Sequence, residues 1–282
     1  MLLIFYNSQI KAFNENFEKV REGFGFDAVH DMRVAIKRLR VVIILCEELD
    51  PELSIINDKE ELRKLFRLSG KMRDAQVQQG LVREYEFKLE VDFGKFSGYL
   101  LNYERKAIKK FNNYCTHHNP HDFILSISTI IPKIITTVNE GNLKSAFYEL
   151  LKKLFNTIEF LKTHQLQDEH LHEIRGILKQ CNYLLSIFNT EGNDLPQLAS
   201  LLKKLEKVNE LLGKWHDHVI MMEFLSGFLK NKDIGESSNY KHYSLLIDQI
   251  SEEKLNLYLR ITDMLEKPMD KLFPSQDFQN LS

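Results

Sequence analysis

The chain has 282 residues, with 38 Lys and Arg against 40 Asp and Glu, a formal charge of −2 and a pI of ≈ 6.6. This balance excludes a uniformly cationic protein, so a polyanion binder of this sequence must gather its basic residues onto one surface. With 12 Gly and 6 Pro the chain is poor in the turn formers an all-β or α/β fold needs, and 43% hydrophobic content excludes global disorder.

The first residues, Met1-Leu2-Leu3-Ile4-Phe5-Tyr6, lack the basic flank and small-residue cleavage site of a signal peptide and begin an amphipathic helix instead. Apolar residues recur at helical spacing throughout and no segment sustains alternation, so an all-α fold is expected. The spacing predicts helices over 4–23, 27–49, 58–91, 95–118, 122–139, 143–163, 168–189, 194–230 and 240–267. Gly23-Phe24-Gly25 closes the first helix, and Asp27 is placed to cap the second. Asp50-Pro51, Asn119-Pro120 and Gly192-Asn193-Asp194 mark later breaks. The stretch from Lys232 to Ser238 is the most loop-like, and the tail after Pro274 is expected to fray. No stretch approaches the ~20 apolar residues of a membrane span. Cys46, Cys115 and Cys181 are odd in number and far apart, as expected for reduced thiols in a cytoplasmic protein.

Two motifs recur in the same order. Val29-His30-Asp31-Met32-Arg33 returns 142 residues on as Leu171-His172-Glu173-Ile174-Arg175, and Ile36-Lys37 returns as Leu178-Lys179. Gly70-Lys71-Met72-Arg73-Asp74 returns 143 residues on as Gly213-Lys214-Trp215-His216-Asp217. Such a repeat implies two four-helix-bundle halves, 1–119 and 143–282, joined by a connector helix over 120–142 within one domain of residues 1–282.

The helical phase of these residues carries the chemistry. With His30 at zero, Arg33, Lys37 and Arg40 fall at about −60°, −20° and −80°, one stripe about 15 Å long. Met32, Ile36, Leu39 and Ile43 fall at about 180–240°, the core side. His172, Arg175 and Lys179 form the matching stripe, opposite Ile174, Leu178, Cys181 and Leu185. In the second motif Lys64, Arg67, Lys71 and Asp74 share a face, as do Lys207, Glu210, Lys214 and Asp217. Arg73 and His216 match each other but point elsewhere unless the helix bends near Gly70 and Gly213. Like charges stacked on a solvated helix repel, so these rows call for an anion, with arginine forks and lysine point charges suited to phosphate. Asp74 and Asp217 are expected to orient the basic side chains beside them.

The run from Val29 through Arg40, with Arg73-Asp74 after Leu68-Ser69-Gly70 and His216-Asp217 after Leu212-Gly213, resembles the CHAD family, the conserved histidine α-helical domain. Leu171 through Lys179 and Tyr183 resembles the same signature in the second half. The resemblance implies two helical bundles related by a pseudo-twofold, with basic residues between them. It also implies a binding module rather than an enzyme, whose partner is inorganic polyphosphate and which often associates with polyphosphate granules. His30, Arg33, Lys37 and Arg40 are then the leading contacts, followed by His172, Arg175 and Lys179, with Lys64, Arg67, Lys71, Arg73, Lys207, Lys214 and His216 from the second motif. Gln180 and Asn182 stand where the first half has Arg38 and Arg40, so the first half is expected to contribute more.

Three other readings compete for the same residues. His30-Asp31 and His216-Asp217, with His218, have the look of ligand pairs in HD-type metal phosphohydrolases, but Arg33 and Lys37 on the His30 face would repel a cation. Nucleic acid could use the same phosphate contacts, yet no aromatic interleaves the His30–Arg40 stripe for base stacking, so only weak binding is expected. A helical scaffold for an acidic protein partner is the third. His170 and His172 lie about 200° apart on a helix and cannot chelate together, and His117, His118 and His121 sit at a helix end. No metal and no cofactor are expected.

Overall fold

The structure, a computed structural model, describes residues 1–53, 56–163, 166–188, 196–230 and 239–266. Among the described residues it is all α, with nine helices and no strand: α1 (Leu2–Gly23), α2 (Phe26–Leu49), α3 (Ile56–Leu89), α4 (Gly94–His117), α5 (Pro120–Thr137), α6 (Glu140–Lys162), α7 (Asp168–Phe188), α8 (Pro196–Leu229) and α9 (Asn239–Leu265). The expected breaks at Gly192 to Asp194, Lys232 to Ser238 and beyond Pro274 lie outside the described residues.

Local chemistry explains most boundaries. Asn119 accepts a hydrogen bond from the His121 amide at 3.3 Å, with Pro120 opening α5, where its missing N–H costs nothing. Asn139 caps α6 by accepting from the Asn142 amide at 2.8 Å. Asp27 does not cap α2: Gly25 is the N-cap, no side chain caps it, and Asp27 sits inside the first turn. There its negative charge still favours the helix N-terminus. The left-handed residue that closes α1 is Phe24 (φ 53°), flanked by the two glycines, and its amide donates to the Val20 carbonyl at 2.9 Å.

Met32, Ile36, Leu39 and Ile43 of α2, and Ile174, Leu178, Cys181 and Leu185 of α7, are all buried, as their phase requires. Each such side chain contributes roughly 1.5–3 kcal/mol by leaving water. Consecutive helices pack within each half, and the halves meet through α2 against α6 and α7, α8 against α3 and α4, and α1 against α7. The connector α5 lies on α1, α2 and α3.

The buried side chains form two clusters. The larger runs through α1, α2, the first part of α3, the end of α4, α5, α6, α7, the first part of α8 and the end of α9. The smaller joins Ala75, Val82 and Tyr85 of α3, Phe96 and Leu100 of α4, Met221, Phe224 and Phe228 of α8, and Tyr243, Leu246 and Ile250 of α9. Both clusters therefore draw on residues from either side of α5. Among the described residues no single helix is long and apolar enough to cross a membrane; α5 and α6 reach that composition only together, across a 112° bend.

Candidate functional site

Where α2 and α7 meet, with α3 and α8 beside them, lies a cavity of ≈ 750 Å³. Helix α2 lines it with His30, Arg33, Lys37 and Arg40, one residue per turn along its length. Helix α7 supplies Glu173, Arg175, Lys179, Gln180 and Tyr183. Helix α3 adds Phe66, Arg73 and Asp74, and α8 adds His216 and Asp217. Eight basic side chains thus meet three acidic ones in a protein whose formal charge is −2.

Arg33 ties α2 to α3. Its Nη1 donates to the Phe66 carbonyl at 2.5 Å and to Ser69 Oγ at 3.2 Å. Gly70 permits this approach, because a Cβ there would lie 3.0 Å from Arg33 Nη1. The ring of Phe66 is a shared platform. Arg33 Cζ lies 4.0 Å from its centroid, Lys37 Nζ 5.4 Å and Arg40 Cζ 5.8 Å, so three cations draw on one aromatic face.

The basic groups are desolvated without carboxylate partners. Burial, followed by Lys179, Arg33, Arg175 and Arg40, pushes the Lys37 ammonium down to about 6. Burial and then Arg175 bring Lys179 to about 8, against the opposing pull of Asp217. Burial brings Arg33 to about 10, and burial likewise lowers Arg40, Arg73 and Arg175. His30, at the exposed rim, is lowered by burial and by Arg73. Among the described residues none of Arg33, Lys37, Arg40, Arg175 or Lys179 is ion-paired with a carboxylate. Arg175 Nε and His216 Nδ1 are buried with no hydrogen-bond partner. Donors left in this state lose their hydration without replacement, a cost that an incoming anion can relieve.

The two acids of the second motif do not orient cations by hydrogen bonding. Asp74 makes no hydrogen bond to a basic side chain, and burial raises its carboxyl although Arg33 and His216 pull the other way. Asp217 Oδ1 is 3.8 Å from His216 Nδ1, too far for a hydrogen bond. They act through space, trimming the positive potential.

Other residues singled out by the sequence lie elsewhere. Arg73 and His216 reach the cavity, while Lys64, Arg67, Lys71, Lys207 and Lys214 are exposed and do not line it. Lys64 Nζ lies 4.8 Å from the Tyr114 ring centroid on α4, and Lys214 pairs with Glu210 at 2.7 Å. No bend is needed to aim Arg73 inward, because Phe66, Gly70, Arg73 and Val77 already form one helical stripe. His172 does not line the cavity either; it stands behind it, edge-on to His216 at 4.9 Å and to the buried Trp215 at 5.0 Å. Asn182 does not line the cavity, whereas Gln180 does. Among the described residues no group of three or more His, Cys, Asp or Glu side chains is placed to hold a metal ion.

Phe66 is among the cavity residues that sequence reasoning did not assign to the site, since an apolar or aromatic side chain at helical spacing reads as core, and Tyr183 entered only through the family resemblance. A partly buried network beyond the cavity was missed too. His218 Nδ1 donates to the Lys214 carbonyl at 2.6 Å, and Nε2 lies 3.0 Å from both the Tyr85 hydroxyl and Glu253 Oε2. Lys88 Nζ donates to Glu253 Oε1 at 2.5 Å, so the network joins α3, α8 and α9.

With this geometry in hand, comparisons place the chain among known proteins. A sequence model of the CHAD domain matches residues 6–226, more than half of the chain. The crystal structure of the CHAD domain from the plant Ricinus communis is similar in fold, with a TM-score of 0.71 at 14% identity, covering 93% of this chain and 89% of that one. Comparison with curated proteins finds no match.

Proposed function

The chain belongs to the CHAD family, and from that premise we propose that it is an inorganic polyphosphate-binding module, not an enzyme, holding the polyanion in the cavity between α2 and α7. The observation that carries this reading is the set of cations along the cavity with no carboxylate partner. Arg33, Lys37 and Arg40 follow one another on α2, and Arg175 and Lys179 face them from α7. A linear polyanion offers a negative charge at every phosphate, so successive phosphates can occupy successive turns of α2. Arginine forks take phosphate oxygens in pairs and lysines supply point charges. Arg175 Nε, a donor without a partner, gains an acceptor in the same step, as does His216 Nδ1 when it carries a proton. Four of the basic residues come from α2 and two from α7, which makes the first half the stronger contributor. By analogy with nucleic acids, counterion release makes the affinity fall steeply with salt. On the same reading we place the protein in the cytoplasm, at polyphosphate granules.

The decisive experiment replaces Lys37, Arg40 and Lys179 together with alanine and leaves Arg33 in place, because Arg33 also braces α2 on α3. Each charged hydrogen bond lost costs roughly 1.5–3 kcal/mol, so long-chain polyphosphate at fixed salt should bind at least about a hundredfold more weakly. The outer-face triple Lys64→Ala, Arg67→Ala, Lys71→Ala should retain most of the affinity. Unchanged affinity in a folded cavity variant would refute the assignment. Competition adds a second readout: polyphosphate should displace RNA readily, and the reverse would favour nucleic acid.

A further inference from the structure

We propose that Lys37 is a nucleophile toward phosphate-bearing electrophiles, and that acyl phosphates acylate it in preference to the exposed lysines of the chain. The inference rests on the cavity accepting phosphate groups, as proposed above, and adds a reaction to that site.

Two features of the site lead to it. Lys37 Nζ has no carboxylate or other hydrogen-bond acceptor among the described residues, and the side chain lines an open cavity. The charged groups that act on it most strongly are cations: Arg33 and Arg40 one turn away on α2, Arg175 and Lys179 on α7, with Asp74, Glu173 and Asp217 elsewhere on the cavity wall. Its Nζ lies 5.4 Å from the centroid of the Phe66 ring. Such surroundings disfavour a further positive charge, in keeping with the ammonium standing near 6, and leave the nitrogen lone pair free at neutral pH. The same guanidinium groups form a seat for the phosphate of an electrophile, holding its carbonyl carbon beside the amine.

The reaction balances without an oxidant or a further reactant. Nζ attacks the acyl carbonyl carbon, forming the C–N bond. The C–O bond to phosphate breaks and its electron pair stays on the phosphate oxygen. The proton lost from nitrogen passes to that phosphate, which leaves as hydrogen phosphate. The amide that remains carries no charge and fills part of the cavity, so acylation weakens polyanion binding.

The test incubates the folded protein with acetyl phosphate at neutral pH and follows acetylation of each lysine by peptide mass spectrometry. The larger free-amine fraction of Lys37 outweighs its lower basicity, so Lys37 should react about tenfold or more faster than Lys64 and Lys71. Inorganic tripolyphosphate should slow Lys37 and leave the exposed lysines unchanged. A Lys37 rate no greater than that of the exposed lysines would overturn the inference, as would a Lys37 preference that tripolyphosphate does not suppress in protein shown by calorimetry to bind it. Calorimetry on the same preparation separates the two readings. Tripolyphosphate binding without preferred acetylation leaves the binding function standing and removes only the nucleophile. Preferred acetylation without tripolyphosphate binding removes the phosphate seat, and with it both readings.

Discussion

Lys37 and Lys179 hold the protons that a ligand controls. Both ammonium groups are depressed in the empty cavity, to about 6 and about 8, first by burial. A bound phosphate favours the charged form and raises both values. Binding near pH 7 therefore takes up protons, and polyphosphate affinity should rise as pH falls from about 9 toward 6. The sign for folding is opposite. A lysine whose folded value lies below its unfolded value, about 10.4, binds more protons when unfolded, so the empty protein should grow more stable with rising pH across the same window. Calorimetry in buffers of different ionisation enthalpy measures the uptake, and a binding enthalpy independent of buffer would contradict it. At this scale the sequence was legible on α2 and α7, where the four-residue stripe and its repeat faced a phase that apolar residues defined cleanly. It was less legible on α3. The spacing of Lys64, Arg67, Lys71 and Asp74 drew attention to a solvated face, while the inward stripe of Phe66, Gly70, Arg73 and Val77 is half apolar and passes for core.

At the scale of the helix, the two repeated glycines are not equivalent. A methyl on Gly70 would meet Arg33 Nη1 at 3.0 Å, and Arg33 is held in place by the Phe66 carbonyl and Ser69. A methyl on Gly213 would meet nothing within 4 Å. Alanine is favoured over glycine inside a helix by roughly 0.5–1 kcal/mol. Gly213→Ala should accordingly stabilise the protein by about that amount, whereas Gly70→Ala should gain nothing or lose about 1 kcal/mol through the displaced fork. Denaturant unfolding of the two variants checks the contrast, and equal gains would show that Arg33 is free to move. Helix boundaries were predicted to within three residues because they depend on local capping chemistry, as at Asn119 and Asn139. The misassigned cap at Asp27 has a tertiary cause: the chain turns at Phe24, whose carbonyl accepts from Gln76 of α3 at 2.8 Å.

Across the whole molecule, cohesion comes from two apolar clusters and from polar ties between the halves. The crossing of α3 and α8 is marked by Gln78 Nε2, which donates to the Asp217 carbonyl at 3.1 Å. Beside it Glu253 collects Tyr85, His218 and Lys88. Burial alone would raise the Glu253 carboxyl, but the hydrogen bonds from Lys88, His218 and Tyr85 prevail and hold it at about 2. A depressed carboxyl contributes stability above its unfolded value near 4.3 and loses it as pH falls toward 2. Glu253→Ala should cost about 1–2 kcal/mol at neutral pH and flatten the acid limb between about pH 4.5 and 2. Urea titrations at several pH values test both, and parallel acid limbs in wild type and variant would contradict the assignment. None of this was legible in sequence, because it depends on residues more than 130 positions apart meeting at a crossing, as in the Tyr85–His218 contact.

The smaller apolar cluster has a consequence for synthesis. Ala75, Val82, Phe96 and Leu100 complete their cluster with residues between Met221 and Ile250. A growing chain exposes the first set well before the second leaves the ribosome. At ~5–20 residues per second the delay is roughly six to thirty seconds. During that interval the far ends of α3 and α4 present a bare aromatic surface, the natural place for a chaperone to attend this protein or for neighbouring nascent chains to stick.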